Sequence, residues 1–149
     1  FERQPVARLR VGDRPLIDEK GWLLPPRRDA EAAGLPDITG VHGAGTMTIG
    51  NQVRDEVVLA ALDFLQLLRT RPDGRHYDVS VIQLDYAYPS LKVYLQPRSV
   101  FRRGARFRIP VEGMKRALNR MSIIVSDLAE RQRKVRFIDA TYRENIPVR

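Results

Sequence analysis

The chain contains no cysteine. That absence removes disulfides, thiolate zinc sites and cysteine nucleophiles from its chemistry. It has only two histidines, His42 and His76, and neither stands among the clustered carboxylates that a metal site needs. No stretch approaches 18 consecutive apolar residues, so no segment reads as a membrane-spanning helix. Internal repeats and low-complexity tracts are missing too. The fingerprints of nucleotide chemistry are incomplete: Gly43-Ala44-Gly45 lacks the third glycine of a dinucleotide-binding turn and the Gly-Lys-Ser/Thr of a phosphate loop. It reads as a connector. No Ser occupies a Gly-x-Ser-x-Gly elbow. Asp18 and Glu19 form a carboxylate pair by sequence, but strand neighbours point to opposite faces, and a hairpin turn accounts for both. No catalytic, metal or cofactor site is expected from the residues.

What is present is one domain's worth of chain, 149 residues with 43% apolar content, enough to build a core. Lys and Arg number 26 against 18 Asp and Glu, a net charge of +8. Nearly all of the cations are Arg. Such a surface favours anionic partners: nucleic acid, lipid headgroups or an acidic protein face. Tyr86, Tyr88 and Tyr94 lie near Arg98, Arg102 and Arg103 in sequence, a mixture that could stack on single-stranded nucleic acid or form ordinary cross-strand pairs. A basic nucleic-acid-binding α+β domain is therefore one reading of the chain.

Hydrophobic periodicity sets the expected elements. Val6–Arg10 and Arg14–Asp18 read as strands around a turn at Val11-Gly12-Asp13, and Trp22–Leu24 as a third short strand stopped by Pro25-Pro26. A polar connector from Arg27 to Gly34, with room for one helical turn, leads to an extended Leu35–Gly40. The four glycines between Gly40 and Gly50 mark a loop. Asn51 is the expected N-cap of a helix over Gln52–Arg69, whose apolar residues recur at helical spacing. Asp78–Tyr86 is β-rich, with its alternation slipping at Val81-Ile82 as at a bulge. Leu91, Val93 and Leu95 alternate with polar residues. A basic loop, Arg98–Gly104, and a strand, Arg106–Ile109, follow. Pro110 fits the first position of a second helix reaching about Gln132. Val135–Tyr142 is the last long strand, and Asn145–Val148 an extended tail. Short connections favour antiparallel pairing. The expected fold class is α+β: a mainly antiparallel sheet with two amphipathic helices on one face, burying Val57, Phe64, Leu65, Met114, Leu118, Met121 and Leu128.

Several short stretches, in order, resemble one family. Glu2-Arg3-Gln4-Pro5-Val6-Ala7 is similar to the E-R-x-P-V-A stretch of FtsQ and its DivIB relatives, bacterial cell-division proteins. Leu16-Ile17-Asp18-Glu19-Lys20-Gly21 resembles the family's "lvD-x-x-G" turn, and Leu35-Pro36 with Gly40 its "LP-x-l-x-G". Met114-Lys115-Arg116-Ala117-Leu118 is like its "K-x-x-x-L" helix, and Phe137-Ile138-Asp139-Ala140-Thr141-Tyr142 its "y-V-D-L-R-Y". Thr141 stands where the family usually has Arg, Asn145 near its Gly, and Pro147 where an extended strand would continue.

The resemblance covers nearly the whole chain and carries several implications. Residues 1–7 would be the last strand of a truncated POTRA module, and 8–149 the following β domain. The parent protein would be a single-pass inner-membrane protein whose β domain lies on the periplasmic side at the division septum. Its function would be non-catalytic recruitment in the divisome through FtsB- and FtsL-like partners. Another POTRA-type envelope-assembly module is an alternative. No nucleic acid or small-molecule substrate would be expected. The partner would add a strand at the C-terminal edge, engaging Arg136, Ile138, Ala140, Tyr142, Arg143, Asn145, Ile146 and Val148. Tyr142 would be an apolar anchor, Arg136 and Arg143 would receive acidic residues, and Pro147 would limit the register because it lacks an N–H.

Overall fold

A computed structural model describes residues 3–43, 45, 47–141 and 147–149. The strands are β1 (Pro5–Leu9), β2 (Leu16–Asp18), β3 (Leu23–Leu24), β4 (Asp37–Thr39), β5 (Val79–Asp85), β6 (Ser90–Leu95), β7 (Phe101–Pro110) and β8 (Val135–Asp139). The helices are α1 (Ala30–Ala33), α2 (Glu56–Thr70) and α3 (Met114–Glu130). All strands join one eight-stranded sheet in the order β3-β2-β1-β4-β5-β6-β7-β8. The fold is α+β, and the sheet is mixed but mostly antiparallel. The parallel pairs are β1 with β4, β4 with β5, and β7 with β8. The last two are joined across α2 and α3. A helix laid on a sheet face returns the chain to the end it left, which makes the next strand parallel. The tight turns give the antiparallel pairs, and the helical connections give this correction to them.

The helices share one core with the sheet. Leu91, Val93 and Leu95 of β6 are buried, while Lys92 and Tyr94 alternate outward. On β7 the same alternation buries Ala105, Phe107 and Ile109. Phe64 of α2 packs on Phe107 with ring centroids 5.8 Å apart. Leu118 and Met121 of α3 are fully buried in the same cluster. Leu128, expected inside, is only half-buried at its margin. The opposite face of β1 and β4 is tied by charge: Arg8 Nη1 and Arg10 Nε each donate to a different Asp37 oxygen at 3.0 Å. Arg8 Nη2 also donates to the Ala32 carbonyl of α1.

Several boundaries differ from expectation. The N-cap of α2 is Asp55, not Asn51: its Oδ1 accepts from Val57 and Val58 N–H. Asn51 and Gln52 instead run alongside β3. Pro110 closes β7 and does not open α3, whose N-cap is Gly113 at φ 74°. A strand end tolerates proline because the missing N–H falls where pairing stops. The basic loop over Arg98–Gly104 is mostly strand, since β7 begins at Phe101. The irregularity in β5 falls between Val79 and Val81, just before the expected place. The last strand stops at Asp139; of the residues expected beyond it, Tyr142 lies outside the described residues. The boundary expected between residues 7 and 8 lies within β1, whose Ala7 and Leu9 both enter the core. In the short 3-10 turn Pro72–His76 that follows α2, Gly74 is required by contact: a Cβ there would lie 1.9 Å from the Leu68 carbonyl oxygen.

Candidate functional site: the terminal sheet edge

β8 pairs in parallel with β7 on one side, with Phe107 opposite Ile138 and Arg108 opposite Asp139. On its other side the chain returns as a short antiparallel tail, Pro147–Arg149. Asp139 N–H donates to the Pro147 carbonyl at 3.1 Å, and Arg149 N–H donates to the Phe137 carbonyl at 2.8 Å. Arg136 and Phe137 N–H both donate to the Arg149 carbonyl, at 2.7 and 2.9 Å. Ile138 and Val148 are therefore a non-hydrogen-bonded antiparallel pair. Pro147 and Arg149 turn their backbone groups inward, and Val148 turns its N–H and C=O away from β8. No described residue pairs with those two groups. The Val148 side chain is 38% exposed.

This register revises the expected role of Pro147. Its absent N–H lies on the β8 side, where its carbonyl already bonds Asp139. The missing donor therefore belongs to the inner ladder and leaves the outward edge untouched.

The tail is also held by a stack on the outer sheet face. The Phe137 ring lies between two guanidinium groups, Arg106 at 5.1 Å and Arg149 at 5.4 Å from its centroid. Each such contact stabilises by about 0.5–1 kcal/mol at an exposed site. Phe137 was not among the candidate residues; its place in the alternation of β8 is the signal that could have found it.

Of the candidate partner residues, Arg136 is exposed beside the tail. Ile138 and Ala140 are buried, at 0% and 1% exposure. Their backbones serve the inner side, Ala140 N–H donating to the Arg108 carbonyl. They form the floor of the edge and offer no side chain to a partner. Tyr142, Arg143, Asn145 and Ile146 lie outside the described residues. Val148 carries the outward backbone.

The other sequence signals do not converge. His42 stacks on Tyr86 with centroids 3.8 Å apart, while His76 Nδ1 lies 2.6 Å from Ser99 Oγ. No group of three metal-capable side chains occurs among the described residues. Asp18 is a turn residue, 4% exposed, accepting from Lys20 and Trp22 N–H and from Arg3. Tyr86 and Tyr88 stand at one end of β6 and Arg98–Arg103 at the other, separated by a strand of roughly 20 Å. Tyr86 donates to Asp55 Oδ2 at 2.7 Å and accepts from His42 N–H. Burial, with Asp55 beside it, pushes its pKa up to about 12.

Behind α2, Arg71 bridges to α3 by donating to Asn119 and Ser122, and it also donates to Asp73. Burial raises the Asp73 carboxyl, but hydrogen bonds from Ser122 and Arg71 hold it below its ordinary value. A groove of about 910 Å³ opens at the start of β1 and β5, with Leu65, Leu68 and Tyr77 in its wall. The Tyr77 hydroxyl is buried without a partner among the described residues, and burial pushes its pKa up. No described Ser, Thr or His lines the groove. No family model matches the chain, and no curated protein matches it.

Proposed function

We propose that this chain is a non-catalytic scaffold of the bacterial divisome, similar to the β domain of the FtsQ and DivIB proteins. In this reading it acts on the periplasmic side of the inner membrane and recruits FtsB- and FtsL-like partners by strand addition. The supporting observation is the outward backbone of Val148 at the terminal edge. An unpaired N–H and C=O on an exposed strand are a template for another strand. Main-chain bonds then supply affinity, and side chains beside the edge supply selectivity. Exposed Arg136 and half-exposed Val148 supply a cation and an apolar contact there.

The test is a titration with a synthetic peptide copying the extracytoplasmic segment of the FtsB-like protein from the same genome. Removing residues 147–149 abolishes binding if the edge is the site. Unchanged binding by the folded, shortened chain overturns the reading. Tight, steeply salt-dependent binding of single-stranded nucleic acid, with none of the peptide, replaces it by the nucleic-acid-binding alternative.

A further inference from the structure

Two basic segments far apart in sequence meet beside the terminal edge. The first is a bulge in β7. Phe101 pairs with Val135 and Arg106 with Phe137, so the stretch from 101 to 106 on β7 faces only 135 to 137 on β8. The surplus is extruded at Arg102, Arg103 and Gly104, all exposed, with Gly104 at φ 78°. Glycine takes that left-handed conformation without the cost a side chain would add.

The second segment is the exit from α3. Gln132 takes φ 53°, its N–H donates to the Ala129 carbonyl, and Arg133 N–H donates to the Leu128 carbonyl. This Schellman-type stop turns Arg133 and Lys134 outward just before β8. Arg102, Gln132, Arg133 and Lys134 then line one concavity of about 490 Å³. Exposed Arg103 and Arg136 flank it in sequence. None of these five cations lies within ion-pair distance of a described carboxylate, whereas nearby Arg98 and Arg131 reach Asp78 and Asp127.

We infer that this concavity is the seat of an acidic peptide segment that flanks the strand added at Pro147–Arg149. The inference rests on the strand-addition reading and gives it a direction. The tail runs antiparallel to β8, so a strand added antiparallel to the tail runs parallel to β8. Its residues N-terminal to the one facing Val148 pass the start of β8. Lys134 lies four residues before Ile138 in the chain, about 13 Å at strand spacing. Acidic residues that far upstream in the partner meet Arg133, Lys134 and Arg102. The patch has a single sign, so it rejects a basic flank and raises the association rate of an acidic one.

The experiment titrates a hexaglutamate peptide into the isotopically labelled chain and follows amide shifts by NMR. The amides of Arg102, Arg133 and Lys134 move, and a hexaglutamine peptide moves none of them. R102Q/R133Q/K134Q weakens hexaglutamate by about tenfold, while R28Q/R54Q/R116Q, with the same loss of charge elsewhere, changes it less than about twofold. All six positions are exposed, and an unchanged amide spectrum away from each substitution confirms folding. Equal binding by the two triple variants, or shifts elsewhere on the surface, overturns the inference. So does an oligothymidine or a phosphatidylglycerol vesicle that engages the same amides at least about tenfold more tightly at equal salt. A chain lacking residues 147–149 keeps hexaglutamate binding and loses the FtsB-like peptide. If the intact chain binds hexaglutamate here but never the FtsB-like peptide, strand addition falls and the acidic-peptide site stands without it.

Discussion

The two edges of the sheet are closed in different ways. At the β3 edge, residues 50–53 run alongside the strand and continue into α2. Leu23 N–H donates to the Asn51 carbonyl, Gly50 N–H to the Leu23 carbonyl and Val53 N–H to the Gly21 carbonyl, at 2.8–2.9 Å. Gln52 Nε2 adds a bond to the Lys20 carbonyl. Asp55 then caps α2 and accepts from Tyr86, so the covering segment is fastened to the core by the helix that follows it. At the β8 edge the cover is Pro147–Arg149, held by backbone bonds and by the Arg106-Phe137-Arg149 stack. One edge is anchored through a buried helix. The other presents Val148 outward. Sheets guard edges by covering them, and among the described residues nothing pairs with the outward backbone groups of Val148.

The largest expected effect tests whether both edges depend on one core. Leu118 is fully buried. Leu118→Ala costs about 2–5 kcal/mol from lost transfer energy and the cavity left behind. Chemical denaturation with hydrogen exchange at both edges checks this. Amides of Leu23 and of Phe137 should lose protection together, and loss at one edge alone would divide the sheet into separate units.

Asp55→Ala sharpens the contrast at the β3 edge. It removes the cap of α2 and the acceptor for Tyr86, costing about 1–2 kcal/mol. Exchange at Val53, Val57 and Val58 should quicken while Phe137 and Asp139 stay protected. Deleting residues 147–149 gives the converse. Water replaces the lost bonds at an exposed edge, so global stability falls by only about 1 kcal/mol. Exchange at Phe137 and Asp139 should rise, with Leu23 and Val53 unchanged.

The smallest effect is a pH dependence confined to the β3 side. Tyr86 has a raised pKa, about 12 against an ordinary 10.0. The neutral hydroxyl is the form favoured by the fold. Its contribution is fully present below pH 10, the unfolded value, and is lost as pH rises through 12. The difference in unfolding midpoint between wild type and Tyr86→Phe should shrink between those values. A difference constant across that window would remove Tyr86 as a pH-dependent fastening.

Much of the architecture is legible in the sequence because it depends on local periodicity. Leu91, Val93 and Leu95 alternate with polar neighbours, and the structure buries those three. Val57, Phe64 and Leu65 repeat at helical spacing, and α2 buries them. Leu128 shares the spacing of its helix but lies near the end of α3, where the core thins and the side chain is half-covered. Asn51 and Asp55 are both competent caps by type. Asp55 takes the role because residues 51 and 52 are drawn to β3 by pairing that sequence spacing does not show. Pro110 is similar: its fixed φ suits a helix start or a strand end, and pairing of β7 with β6 selects the strand.

The candidate edge divides along the same line. The apolar run Val135, Phe137 and Ile138 marks a strand, in which Ile138 and Ala140 face inward, and composition alone marks a basic chain. Which backbone groups face outward depends on the register of a tail that pairs across a turn. Shifting that register by one residue would turn Val148 inward and Pro147 outward. Likewise, Arg102 and Lys134 are thirty-two positions apart, and they share a concavity only because a bulge and a helix stop bring them together. Local pattern determined the strands, the helices and the apolar face. Long-range pairing decided which backbone groups face away from the other described strands and where the cations gather, because hydrogen-bond register and surface charge belong to the folded sheet and not to any one segment of it.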